Sequence, residues 1–324
     1  DQVFFFFFQS SSMKKYDPNE LRFSGALNIA DILASNYLSL QKSRTASEQA
    51  RKINISIIQF GFKVDVQHSV LDQPIMPTSQ DEWSRTRKEL ENKLNLGGVS
   101  LDSTGFVDAF TKASEIANRR DKRSGACPRR LVIVLTDGCP DAQGGCMTGE
   151  FMEDHFQQVE KLISANFSAK DDRVYVTGLN AGGDDYWNMT GGYWRKLTDD
   201  EPSITPRGAQ LVDTQPEIGS RLAEIIVNFI GRGVVTIKPG KFAVPPYLQS
   251  IRITFYPPSN TDSMIIKDSG GRILDKSQQD VLQTGAGTGL QVTKITSPPP
   301  GIYEILTSVN TQNVLITAQP LFFQ

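Results

Sequence analysis

The chain lacks any apolar run approaching the ~20 residues that a membrane-spanning helix needs, so direct membrane insertion is not expected. It lacks a charge excess as well. Thirty-four basic residues against 36 acidic ones leave a net charge of −2, with the two signs interspersed. That balance argues against nucleic acid or an anionic membrane surface as a partner. Histidine is scarce: only His68 and His155 occur. The three cysteines, Cys127, Cys139 and Cys146, form no C-x-x-C pair, which argues against a structural zinc site. Cys139 and Cys146 bracket "CPDAQGGC"; a local disulfide that leaves Cys127 over and three reduced thiols are both compatible with this spacing. Neither histidine has a nucleophile or paired acid at a readable spacing, so both are expected on loops or the surface. No tandem repeat is visible. No basic stretch followed by an apolar one precedes the first strand, and the chain is expected to be a mature form or a fragment of a longer one.

What is present begins with "VFFFFF" (3–8), a run too apolar to leave in water and read as a strand buried on both faces. Asp17-Pro18 suits a helix start, and the following run carries Leu21, Ala26, Ile29, Ala30 and Leu33 at helical spacing. Strands are expected at 53–62, 63–67, 130–138, 173–180 and 209–213. Helices are expected near 79–95, 105–120, 150–165, 191–197 and 217–231. Apolar strands separated by helices imply an α/β fold, a doubly wound and mostly parallel sheet covered on both faces. Beyond 233 the character changes to short strands punctuated by Pro and Gly, at 250–257, 263–268, 290–298, 302–308 and 313–320. These predict a small all-β sandwich. The expected domains are 1–233 and 234–324, joined near 232–246, where "GRG", "KPGK" and "VPP" cluster.

In an open parallel sheet, ligands bind beyond the carboxyl ends of the strands. Three loops are expected there. "QSSSM" offers Ser10 and Ser12 after the first strand, "LDSTGF" offers Thr104 at a helix start, and "LTDGCPD" offers Asp137 at the carboxyl end of the strand at 130–138. Hydroxyls and one carboxylate are hard oxygen ligands that suit Mg²⁺ or Mn²⁺ with water completing the shell. Such a site can accept an acidic group from a partner. "GGDDYW" (182–187) is expected on the same rim, where it could shape partner choice. "GAGTG" (285–289) has no helix after it and reads as a flexible turn rather than a phosphate loop.

Taken together, the "SSSM" after the first strand, "DPNELRFSGA", "STGFVDAF" and "LVIVLTDG" resemble a von Willebrand factor A (vWA) domain over about residues 1–231. The resemblance implies a metal-ion-dependent adhesion site of the form D-x-S-x-S, a distant Thr and an Asp in a T-D-G turn. Its metal ligands would fall on Ser10, Ser12, Thr104 and Asp137. The later strands, with "PPPGIYEI" (298–305), resemble a sandwich that follows vWA domains in bacterial surface proteins. One departure bears on the metal. Phe8 stands where the motif places its first Asp, so Mg²⁺ or Mn²⁺ would be held by fewer charges and bind weakly. The expectation is therefore a non-enzymatic protein-binding or adhesion module of a surface or secreted protein, taking a protein ligand at the rim, in part through an acidic residue. A metal-free scaffold in a multi-protein assembly is the second expectation. A metal-assisted hydrolase is the third, since only Asp137 and Asp141 could act as its base.

Overall fold

The computed structural model describes residues 1–8, 21–43, 53–61, 63–95, 105–124, 128–136, 140, 147–169, 172–179, 186–198, 208–212, 218, 221–222, 225–226, 229, 240–244, 248–255, 263–275, 277, 281–284, 291–307 and 314–320. The chain divides into two compact units, Asp1–Thr214 and Gln215–Gln324. The expected boundary at 233/234 lies outside the described residues.

The first unit is built on a six-stranded sheet of β1 (Gln2–Phe8), β2 (Asn54–Phe60), β3 (Val70–Pro74), β4 (Arg130–Thr136), β5 (Arg173–Leu179) and β6 (Ala209–Val212). The strand order is β3-β2-β1-β4-β5-β6, with β3 antiparallel to β2 and all other pairs parallel. The helices are α1 (Leu21–Ser43), α2 (Gln80–Asn95), α3 (Phe106–Ser124), α4 (Glu150–Asn166) and α5 (Tyr186–Leu197). This is the expected mostly parallel α/β sheet.

The phenylalanine run explains why β1 sits at the centre. Side chains alternate between the two faces of a strand. Phe4 and Phe6 meet Phe167 and Phe110, at centroid distances of 5.7 and 4.8 Å, whereas Phe7 meets Phe23 of α1 at 5.7 Å. Phe4 through Phe7 are all essentially inaccessible. Full burial of such a ring stabilises by about 2 kcal/mol or more, so only a strand covered on both faces uses all four.

Two expectations change. The alternation in 63–67 forms no strand beyond a single bridge between Val64 and Phe60. The segment is a turn, and the strand β3 follows it at 70–74. The Asp65 carboxylate accepts the backbone N–H groups of Gln67 and His68, at 3.1 and 3.2 Å, which closes the chain locally and removes those donors from any ladder. The short helix expected near 191 starts at Tyr186, because Trp187 packs on the glycine backbone of β5 at Gly178.

The second unit carries two four-stranded sheets, β10-β9-β13-β7 and β11-β12-β8-β14. Their strands are β7 (Lys241–Val244), β8 (Leu248–Phe255), β9 (Met264–Lys267), β10 (Ile273–Leu274), β11 (Val281–Thr284), β12 (Gln291–Thr296), β13 (Gly301–Thr307) and β14 (Val314–Pro320). One core takes Phe242, Ile266, Tyr303 and Ile305 from the first sheet and Ile251, Ile253, Phe255 and Ile316 from the second. That makes the two sheets a sandwich. Part of the segment read as a linker is strand: "KFAV" alternates exposed and buried positions and pairs with β13. Among residues 217–231, Ile218, Leu222, Ile225 and Ile226 are helical and buried at helical spacing.

Candidate functional site

All five parallel strands end at one edge of the first unit's sheet. Phe8 ends β1 opposite Phe60 of β2, and Phe7 pairs with Leu135 one residue before the end of β4. The Gly105 N–H donates to the Gly61 carbonyl oxygen at 2.7 Å, which fixes the start of α3 beyond β2 at that same edge. Ser10, Ser12, Thr104 and Asp137 themselves lie outside the described residues, as do Ser11, Ser103, Asp141 and the three cysteines. The described backbone gathers the positions that lead to them, namely Phe8, Gly105 and Thr136. Among the described residues no group of three or more His, Cys, Asp or Glu is placed to hold a metal ion.

The turn after β2 brings a polar pair to this edge. His68 Nδ1 lies 2.6 Å from Asp65 Oδ2, and both side chains are largely covered. The other oxygen of the carboxylate is occupied by the two turn amides. Gln59 Nε2 donates to the His68 carbonyl, and Ser69 Oγ, itself buried, accepts the Gln59 N–H. The contact with the carboxylate fixes the orientation of the imidazole and directs Nε2 away from the acid, as in carboxylate–histidine pairs generally. The sequence reading found no acid for His68. The pairing is D-x-x-H within a turn, a spacing legible only once the turn is known. Ser69 cannot serve as a nucleophile for this imidazole, since its hydroxyl is buried against Gln59 and the Asp65 carbonyl.

The second histidine also departs from expectation. His155 lies within α4, 9% exposed, edge-on to the rings of Phe106 and Phe156. Its Nε2 has no hydrogen-bond partner. Burial lowers its pKa from 6.5 to about 4, so the ring is neutral near pH 7. Trp194 closes the cluster, with its centroid 4.9 Å from both Phe106 and Phe156, and Tyr193 stacks on Phe156 at 4.6 Å. These contacts seat the beginnings of α3 and α4 firmly below the edge.

Single apolar side chains are exposed in the segments that follow this edge. The large hydrophobic side chains exposed among the described residues of this unit are Val66, Phe151 and Met189, at 53, 77 and 39%. Val66 is in the turn after β2, Phe151 in the first turn of α4 after β4, and Met189 in the first turn of α5 after β5. Each follows the carboxyl end of a parallel strand.

No family model matches the chain, and no curated protein matches it in sequence. Solved structures similar in chain course include these two. Proximal thread matrix protein 1 from the mussel byssus is 12% identical, with a TM-score of 0.43 over 74% of this chain and 50% of that one. The human COPII-coat protein Sec24c is 10% identical, with a TM-score of 0.45 over 99% of this chain and 43% of that one. The chain thus spans half or less of the length of each.

Proposed function

We propose that the chain is a non-enzymatic protein-binding module of the vWA kind. Its partner docks on the carboxyl edge of the first unit's sheet. The observation that carries this reading is the placement of Val66, Phe151 and Met189, each exposed in the segment that follows the carboxyl end of a parallel strand. The Asp65–His68 pair adds a fixed polar group beside them. The motif residues Ser10, Ser12, Thr104 and Asp137 would supply a weak Mg²⁺ or Mn²⁺ site that an acidic residue of the partner completes. A surface or secreted location accompanies this reading.

The test is photocrosslinking from defined positions. Benzoylphenylalanine in place of Phe151 should crosslink a specific protein. The same group in place of Arg173, exposed at the opposite end of β5, should not. Equal crosslinking from both positions would overturn the assignment. A second, metal-free reading is favoured by Phe8, which occupies the place of the first motif carboxylate. The two readings separate on chelation: EDTA weakens the complex if the metal bridges it and leaves it unchanged if the edge binds without metal.

A further inference from the structure

Four more large apolar side chains are exposed among the described residues, and all lie on one sheet of the second unit. Ile265, Ile273, Ile302 and Leu306 are 42, 49, 56 and 41% exposed. Their neighbours Ile266, Tyr303 and Ile305 already fill the sandwich core from the other face of the same strands. The exposed set is therefore surplus to the packing of one chain.

Strand register orders this outer face. Leu306 pairs with Ile265, giving an apolar row. Across the next row, Ile273 of β10 pairs with Lys267 of β9, Lys267 with Glu304 of β13, and Glu304 with Lys241 of β7. The Lys267–Glu304 contact is 3.7 Å, with both side chains about one-third exposed, so within one chain it contributes little.

This pattern matches itself. Consider a two-fold axis parallel to the strands and midway between β9 and β13. Rotation about it keeps each row at its own height and exchanges left for right. Lys267 of each copy then faces Glu304 of the other, and Ile265 of each faces Leu306 of the other. At the flanks, Ile273 meets the aliphatic stem of Lys241. No like charges are opposed. A partner surface of a single sign would instead oppose either Lys267 or Glu304. We infer that this face joins two copies of the chain in an isologous sheet-on-sheet contact. Four strands about 4.8 Å apart and two to seven residues long cover roughly 300 Å² per copy, well short of the ~800 Å² of a stable interface. Association is accordingly weak and concentration-dependent.

Sedimentation equilibrium on the full chain from about 1 to 500 µM tests this, on the scale of interfaces of such size. The mean mass should rise from 35.9 kDa toward twice that value. Leu306→Lys should hold the mass at the monomer value with an unchanged unfolding midpoint. If that midpoint falls, Ile302→Ser serves in its place with the same expectation. Lys267→Glu and Glu304→Lys should each remain monomeric alone, because like charges then face one another. Mixed one to one, they should associate at least as strongly as the parent. A parent that stays monomeric, association that survives Leu306→Lys, or a mixture that fails to associate would each overturn the inference.

Discussion

His155 is a basic group kept neutral by its surroundings. The unfolded chain takes up its proton near pH 6.5, the folded chain only near 4. Protonation therefore favours unfolding between those values. The stability from this group is complete above about pH 6.5, declines as the pH falls, and levels off below about 4. The full loss is about 3 kcal/mol. Urea unfolding across this range should show the decline in the parent, and His155→Phe should flatten it, because the surrounding rings accept a phenylalanine. The sequence concealed this residue. Its burial depends on Phe106, distant in the chain, as well as on the adjacent Phe156. Phe8 is the opposite case, since its conflict with the motif is visible in the sequence alone. Phe8→Asp should tighten Mg²⁺ binding at least tenfold by titration calorimetry, because affinity rises with ligand charge. No change would count against convergence of Ser10, Ser12, Thr104 and Asp137.

At the scale of elements, the turn at 63–69 and the start of α5 both depend on single side-chain contacts. Val64, Asp65, Val66 and Gln67 alternate as a strand does, and periodicity alone cannot register that Asp65 binds the turn amides instead. Asp65→Ala should cost about 1–2 kcal/mol in chemical denaturation, through the lost turn bonds and the unpaired imidazole. At Gly178, a methyl group would overlap the Trp187 ring. Gly178→Ala should destabilise by about 2 kcal/mol, and Gly178→Ala with Trp187→Leu should recover part of that loss. The apolar strands β1, β4 and β5 were legible because burial on both faces leaves no polar alternation to misread. β7, β10 and β11 were not, being short strands of the antiparallel sandwich set among turn residues.

For the molecule as a whole, an α/β unit followed by a β-sandwich was readable from the change in pattern after residue 233. The edge proposed to bind a partner was readable only in part. The mostly parallel direction of the strands follows from apolar runs separated by helices, whereas their order does not. The exposed side chains there are isolated residues in otherwise polar turns, which no sequence pattern distinguishes from ordinary surface. The central claim is that a partner binds at this edge. Its most direct measurement is the affinity of the protein crosslinked at position 151 for the parent and for a Val66→Ser/Phe151→Ser variant. Both substitutions fall on exposed side chains, so the variant should unfold at the parent's midpoint. The account predicts an affinity loss of about tenfold or more, the scale of a truncated interface anchor. Unchanged affinity in a folded variant would contradict it.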